Sequence, residues 1–280
     1  MKFTKWQGTG NDFVIVNGFE ETISDYSAKA IEVCDRHYGI GADGLIMVLP
    51  SSIADFQMRI FNSDGSEPEM CGNGIRCFAQ YVYESGLMNK TELSVETLAG
   101  IIRPNLLLEN GRVGSVCVDM GEPRLLRGEI PMTGTPEERV VDEPLTVGDS
   151  TYRITCVSMG NPHCIIFTEE VDSLDLPASG KPIETHPLFP RKTNVEFVQV
   201  IDRHNLRMRV WERGAGVTLA CGTGTCATVV AAVLNNKTDR KVKVRLDGGE
   251  LLVEWRENNH VYMTGPAVEV FRGEYLTSKL

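Results

Sequence analysis

Cys71 and Cys221 stand 150 residues apart in the same short sentence, Met70-Cys71-Gly72-Asn73-Gly74 and Ala220-Cys221-Gly222-Thr223-Gly224, and each opens a stretch that reads as a helix. A thiol followed by Gly-x-Gly at a helix start lies against exposed backbone N–H groups and the positive end of the helix dipole. That setting lowers its pKa and makes an anion site beside it. Two such thiols suit the inversion of a stereocentre, in which a proton leaves one face of a carbon and another arrives on the opposite face. An amino-acid α-proton is a weak acid, so two helix N-termini converging on the carboxylate would stabilise the developing charge with preorganised N–H donors. A pyridoxal enzyme relays electrons through a Schiff-base lysine. No lysine here sits in a comparable setting, and a cofactor-free reaction is expected.

The offset of 150 extends beyond the cysteines: Gly10-Asn11 falls on Gly160-Asn161, and Met58-Arg59-Ile60-Phe61-Asn62 on Met208-Arg209-Val210-Trp211-Glu212. Three blocks in one register mark a duplicated fold, and a period this long means two copies of one domain rather than a solenoid. Strand-like runs include Phe13 to Val16, Leu45 to Leu49, Phe56 to Phe61, Cys164 to Phe167, Val195 to Ile201, Leu206 to Trp211 and Leu251 to Trp255, with Asn110-Gly111 and Gly248-Gly249 as hairpin turns. Three helices are expected, about Ser24 to Tyr38, Gly72 to Ser85 and Gly222 to Asn235, the last apolar nearly all round and so buried. The expected architecture is α+β: two pseudo-symmetric domains, each a curved β-sheet or half-barrel around a central helix, with the active site in the interdomain cleft. The halves are read as residues 1–121 and 122–267, with a terminal strand over about 268–280 packing back on the first. Glu122 to Asp149, rich in Pro, Gly and Glu, reads as the connection between them.

Composition excludes several classes of function. At 280 residues, with 42% hydrophobic and 24% charged, usage is that of a globular enzyme of about two domains. A net charge of -10 argues against a nucleic-acid groove, which needs a basic stripe. No apolar run reaches the length of a membrane span and Met1-Lys2-Phe3-Thr4-Lys5 leads into a strand, so a cytoplasmic protein is expected. Its eight cysteines then read as reduced thiols. Cys34, Cys77, Cys117, Cys156, Cys164 and Cys226 are most simply small hydrophobes.

Cheaper readings of the motifs fare less well. Gly39-Ile40-Gly41-Ala42-Asp43-Gly44 matches a dinucleotide fingerprint but follows a helix and precedes a strand, the reverse of the required context. Gly222-Thr223-Gly224 with Ala227 is a better match, yet no βαβ alternation surrounds it. The close thiol pairs Cys71 with Cys77, Cys221 with Cys226 and Cys156 with Cys164 contain no C-x-x-C, and no metal is expected.

Six motifs in order then resemble the diaminopimelate epimerase family over nearly the whole chain: Lys5 to Phe13, Phe61 to Ser66, Met70 to Cys77, Gly160-Asn161-Pro162-His163, Thr193 to Phe197, and Trp211 to Gly214 with Ala220 to Thr225. Gly265-Pro266-Ala267 is a further match. The related proline racemases and hydroxyproline epimerases share the two-thiol plan but usually carry His where this chain has Asn73. The resemblance implies a pyridoxal-independent isomerase, a homodimer, that interconverts LL- and meso-2,6-diaminoheptanedioate on the way to lysine and peptidoglycan. Carried over, Cys71 and Cys221 look like the acid/base thiols, tuned or oriented by His163 and Glu212, with Glu212 also lining the substrate site. Backbone N–H groups of Gly72, Asn73, Gly222 and Thr223 would hold the reacting carboxylate, with Asn11 beside it. Asn62, Asn161, Asn194 and Arg213 are similar to the residues that fix the distal amino-acid group, and a guanidinium is independently the best fork for a second carboxylate. The chain departs from the common pattern at Trp6-Gln7, at Thr9 and at Gly44, where many members carry Gln; position 44 is not carried into the site. A proline-type racemase and a non-catalytic dinucleotide or metal-binding module are the competing readings.

Overall fold

A computed structural model describes residues 1–276. The chain divides into two compact units, Met1–Asp119 with the segment from Thr264 onward, and Met120–Met263. The last four residues of the expected terminal strand, 277–280, lie outside the described residues.

The first unit holds β1 (Lys2–Gly8), β2 (Asn11–Asn17), α1 (Tyr26–Cys34), β3 (Gly44–Leu49), β4 (Phe56–Asn62), α2 (Gly72–Glu84), β5 (Val95–Thr97), β6 (Gly100–Ile102), β7 (Asn105–Glu109) and β8 (Arg112–Asp119). The second holds β9 (Glu143–Val147), β10 (Ser150–Ser158), β11 (Pro162–Phe167), α3 (Leu176–Glu184), β12 (Asn194–Asp202), β13 (Asn205–Glu212), β14 (Gly216–Thr218), α4 (Gly222–Leu234), β15 (Lys241–Leu246), β16 (Gly249–Trp255) and the first three residues of β17 (Val261–Gly265). β18 (Val268–Glu274) then returns to the first unit, antiparallel to β1.

The strands run in matching order, β1-β2-β3-β4-β5-β6 in the first unit and β10-β11-β12-β13-β15-β16 in the second. Registers match too. β2 pairs parallel to β3 with Phe13 opposite Gly44, and β11 to β12 with His163 opposite Asn194. Leu45 faces Phe61 across the next antiparallel pair, as Val195 faces Trp211. Such strands are apolar on both faces because helices cover both. On β3, Leu45 and Met47 pack with Ala30 and Val33 of α1, while Ile46 lies under α2 at Gly74. On β12, Val195 and Phe197 pack with Ile183 of α3, and Val198 with the apolar residues of α4. α2 and α4 are therefore the enclosed helices, and both begin at a cysteine.

Several sequence expectations are corrected. α3 has no counterpart in the three-helix reading, because Pro177, Gly180 and Pro182 disguise it. The repeat did contain its signature: α3 lies 150 residues beyond α1, and its N-cap Asp175 accepts from Ala178 N as Asp25 accepts from Ala28 N. Gly180 is required there, since a Cβ would stand 2.5 Å from Trp211 Cβ. Helix α1 is shorter than expected at both ends, and His37 to Ala42 form the turn into β3. Glu122 to Asp149 is no linker. It contributes β9 and buries Ile130, Met132, Val140 and Leu145 in the α3-side core, with Arg127 ion-paired to Glu143. Asn110 and Gly111, at φ 52° and 79°, make the first expected hairpin turn, but the second is centred on Asp247-Gly248 because Gly249 already pairs with Leu246. No described helix is long and apolar enough to cross a membrane.

Candidate active site

In both units a strand turn, a helix start and a strand end bring together residues from the repeated motifs. Cys71 is the N-cap of α2 (φ -135°, ψ 118°) and Cys221 that of α4 (φ -124°, ψ 110°), and each sulfur accepts the N–H of the glycine three residues on at 3.4 Å. In this conformation the first-turn N–H groups, those of Gly72 and Asn73 or of Gly222 and Thr223, lack partners within their own helix and point outward beside the sulfur.

Around Cys71 the geometry is set by a chain of charges. Thr9 and Gly10, at φ 53° and 83°, turn β1 into β2 and place Asn11 at the strand start. Asn11 Nδ2 donates to Asp43 Oδ2 at 2.7 Å, and since a carboxylate only accepts, Asn11 Oδ1 must face the thiol side. It receives Asn73 Nδ2 at 3.1 Å and the Cys71 thiol at 3.8 Å. Asp43 and Asp12 are held by Arg36, and Asp12 also pairs with the buried Lys5 at 2.7 Å. Burial alone would raise the Asp12 carboxyl, but the hydrogen bonds from Arg36 and Lys5 outweigh it and hold it at about 2. Beneath the helix start lies Arg76, fully buried, which donates to Gly72 O, Asn73 Oδ1, Thr9 Oγ1 and Pro266 O at 3.0 to 3.3 Å. Asn62 is not part of this group; it is exposed at the end of β4 and donates to Ser66 Oγ at 2.9 Å. At Gly44 a Cβ would meet the Phe61 carbonyl at 2.7 Å, so the backbone as it stands admits no side chain at that position.

Around Cys221 the setting is different. The sulfur lies 3.5 Å from Thr223 Oγ1 and within 4.8 Å of both a ring nitrogen of His163 and a carboxylate oxygen of Glu196. His163 and Glu196 are both fully buried, His163 Nδ1 bonding Glu196 Oε1 at 2.7 Å and Nε2 facing Asn161 Oδ1 at 3.1 Å. Because the carboxylate accepts, Nδ1 carries a proton. Glu212 is held by Thr218, and burial pushes its carboxyl up. Burial, reinforced by the carboxylates of Glu212 and Glu196, also pushes the Cys221 thiol well above the ordinary range, against the Thr223 hydroxyl and the Gly224 N–H. The lowered pKa expected of a helix-capping thiol is therefore not what this site gives Cys221: burial and the two carboxylates outweigh the Thr223 hydroxyl and the Gly224 N–H. Asn194 donates to Pro162 O at 2.9 Å and accepts Arg213 N at 2.9 Å, which fixes the turn after β13, while the exposed Arg213 guanidinium donates to the Arg191 carbonyl at 3.2 Å.

Sequence reasoning gave Glu196, Arg76 and Asp43 no role, although Glu196 left a visible signal as a lone acid inside the apolar run Val195 to Val200. Its Oε2 is buried without a hydrogen-bond partner, a condition that costs about 1–3 kcal/mol. The equivalent position in the first unit is Ile46, and that of His163 is Phe13, so the fold does not need these charges. His163, Glu196 and Cys221 form a three-donor cluster among the described residues, but the ring nitrogen and the carboxylate already bond each other. The eight cysteines are thiols, and burial raises Cys34 and Cys77 to about 12, as suits packing residues.

Comparison with known proteins agrees over almost the full length. The family model for diaminopimelate epimerase matches residues 3–126 and 155–270. The chain is 61% identical to the diaminopimelate epimerase of Moorella thermoacetica and 59% identical to that of Pelotomaculum thermopropionicum, each over 277 residues, 98% of this chain and 99% of the relative. Among solved structures, a Bacillus anthracis phenazine biosynthesis protein of the PhzF family has a similar fold, with a TM-score of 0.72 at 18% identity, covering 99% of both chains.

Proposed function

The chain belongs to the diaminopimelate epimerase family, and on that premise we propose that Cys71 and Cys221 are the two proton carriers that interconvert LL- and meso-2,6-diaminoheptanedioate. The observation that carries the mechanism is the equivalence of the two sulfurs: each caps the N-terminus of an enclosed helix, 3.4 Å from the same N–H, in otherwise independent units. One sulfur, as thiolate, takes the α-proton. The electron pair left on carbon delocalises into the carboxylate, where the first-turn N–H groups of Gly72, Asn73, Gly222 and Thr223 receive the charge. The other sulfur, as thiol, returns a proton to the opposite face. The sulfurs finish with their protonation states exchanged, ready for the reverse reaction, and proton exchange with solvent restores the starting form for another forward turnover.

Asn11 orients the reacting centre on the Cys71 side, and Asn161, His163 and Glu212 serve the Cys221 side. Glu212, with its carboxyl pushed up by burial, can hold a proton next to a thiol that must exchange one. Asn62, Asn194 and Arg213 engage the distal amino-acid group. The exposed Arg213 guanidinium, bound to a single carbonyl in the bonds seen here, suits a second carboxylate, which proline does not have. Pyridoxal chemistry needs a lysine free to form a Schiff base, and the buried Lys5 is held by Asp12 and the Gly41 carbonyl. The two-thiol scheme uses no Schiff-base lysine, and the reaction proposed here is cofactor-independent. Eight thiols fit a reducing cytoplasm. A homodimer would cover the exposed apolar residues Leu107, Leu108, Val268, Val270 and Phe271 of the first unit.

The test is the pair Cys71→Ala and Cys221→Ala, assayed by conversion of LL-diaminopimelate to the meso isomer. Each variant should fold normally and lose at least about 10³-fold in kcat, since each face has one carrier. Near-normal turnover in either would remove the mechanism.

A further inference from the structure

The two sulfurs cap equivalent helices, yet what lies under them is opposite in character. Under α2 the strand residues are Phe13 and Ile46, and the buried charge is the guanidinium of Arg76. Under α4 the same strand positions hold His163 and Glu196, and the position of Arg76 is taken by Cys226. The backbone is built to admit this carboxylate. A Cβ on Gly224 would stand 2.5 Å from Glu196 Oε1 and 3.2 Å from Cys221 Sγ, so only glycine at the third helix position lets the acid reach the helix start. Its counterpart Gly74 faces the methyl ends of Ile60 and Ile46, with Cys71 Cβ at 3.4 Å, and no charged group among these neighbours.

Glu196 has one described hydrogen bond, to His163 Nδ1, and an unpartnered buried second oxygen. With no exposure it cannot contact a substrate directly. We propose that Glu196 is a positioning residue for the Cys221 half of the reaction, acting on that sulfur through His163 and through its own charge. The inference rests on the two-thiol reading above and extends it: the two halves of the site divide the labour unequally. By accepting from Nδ1, Glu196 fixes the ring so that Nε2 is directed at Asn161. By placing a negative charge within 4.8 Å of the sulfur it favours the protonated thiol there, so that Cys221 rests as the acid. The other titratable groups facing this cluster are Glu212 at the end of β13 and Cys164 on β11.

The experiment is steady-state kinetics in both directions, across pH, on Glu196→Gln and Glu196→Ile, with thermal unfolding of each. Glutamine keeps the shape and an acceptor for Nδ1; isoleucine is the residue the first unit uses at this position. Glu196→Gln should lower kcat about tenfold or more and leave KM within about twofold. The pH limb governed by Cys221 should move to lower pH by about one unit, because a like charge that opposed ionisation is gone. In a His163→Gln background the same change should cost less than about threefold, since residues acting as a unit are not additive. A raised KM at unchanged kcat, an unmoved pH profile, or losses in both variants that merely follow their melting temperatures would overturn the proposal. Cys221→Ala, run in parallel, separates the two layers. If it is active, the two-thiol reading fails; if it is dead while Glu196→Gln behaves as wild type, only the present inference fails.

Discussion

Alanine at Gly74 and alanine at Gly224 are the same substitution at the third residue of equivalent helices, and the structure assigns them different costs. Inside a helix, glycine to alanine gains about 0.5–1 kcal/mol from backbone entropy. At Gly74 the new methyl meets Ile60 Cδ1 at 3.1 Å and Ile46 Cδ1 at 3.3 Å, flexible ends that can give by a few tenths of an ångström. The net effect there should stay within about 1 kcal/mol. At Gly224 the methyl would lie 2.5 Å from Glu196 Oε1, which must move. That oxygen is engaged at 2.7 Å with His163 in a site without solvent. Overpacking costs about 1–3 kcal/mol and loss of a buried hydrogen bond to a charged group about 1.5–3 kcal/mol. After the helix gain, the net cost should be about 2–5 kcal/mol, or roughly 5–15 °C in melting temperature for a unit of this size. Thermal unfolding of the two variants side by side decides it. If Gly224→Ala melts at or above Gly74→Ala, the close approach of the buried acid to the helix start is wrong.

Arg213→Ala removes the fork expected to hold the distal carboxylate and should cost about 2–5 kcal/mol, thirtyfold or more in kcat/KM for diaminopimelate. Arg213→Lys should recover only part of this, and unchanged kinetics in the alanine variant would reassign that end of the substrate. Asp12 supplies a pH test of stability: its carboxyl is held at about 2, below the unfolded value near 3.9, so its ion pairs contribute fully above about pH 4 and are lost as pH falls through 2. Asp12→Asn should therefore be less stable than wild type at neutral pH, and the gap in urea midpoint should close between about pH 4 and pH 2. A gap independent of pH would contradict the ion-pair origin of the shift.

Much of this protein is written in short-range chemistry. The repeat of 150, the two capping cysteines and the enclosed helices follow from glycine, polar caps and apolar runs that act over a few residues. Even α3, disguised by Pro177, Gly180 and Pro182, was recoverable from Asp175 standing at the repeat of Asp25. The segment Glu122 to Asp149 was not, because its Pro and Gly content describes local backbone bends, while its burial is decided by distant partners in the α3-side core. The same holds for Glu196. A sequence shows an acid in a hydrophobic strand, but only the pairing of β11 with β12, His163 beside Asn194, puts the His163 ring against that acid and under Cys221. Sequence alone makes the two thiols look alike, since both share one local motif. Tertiary structure makes them unequal, because the electrostatics of a sulfur are set by whatever the fold buries beneath it.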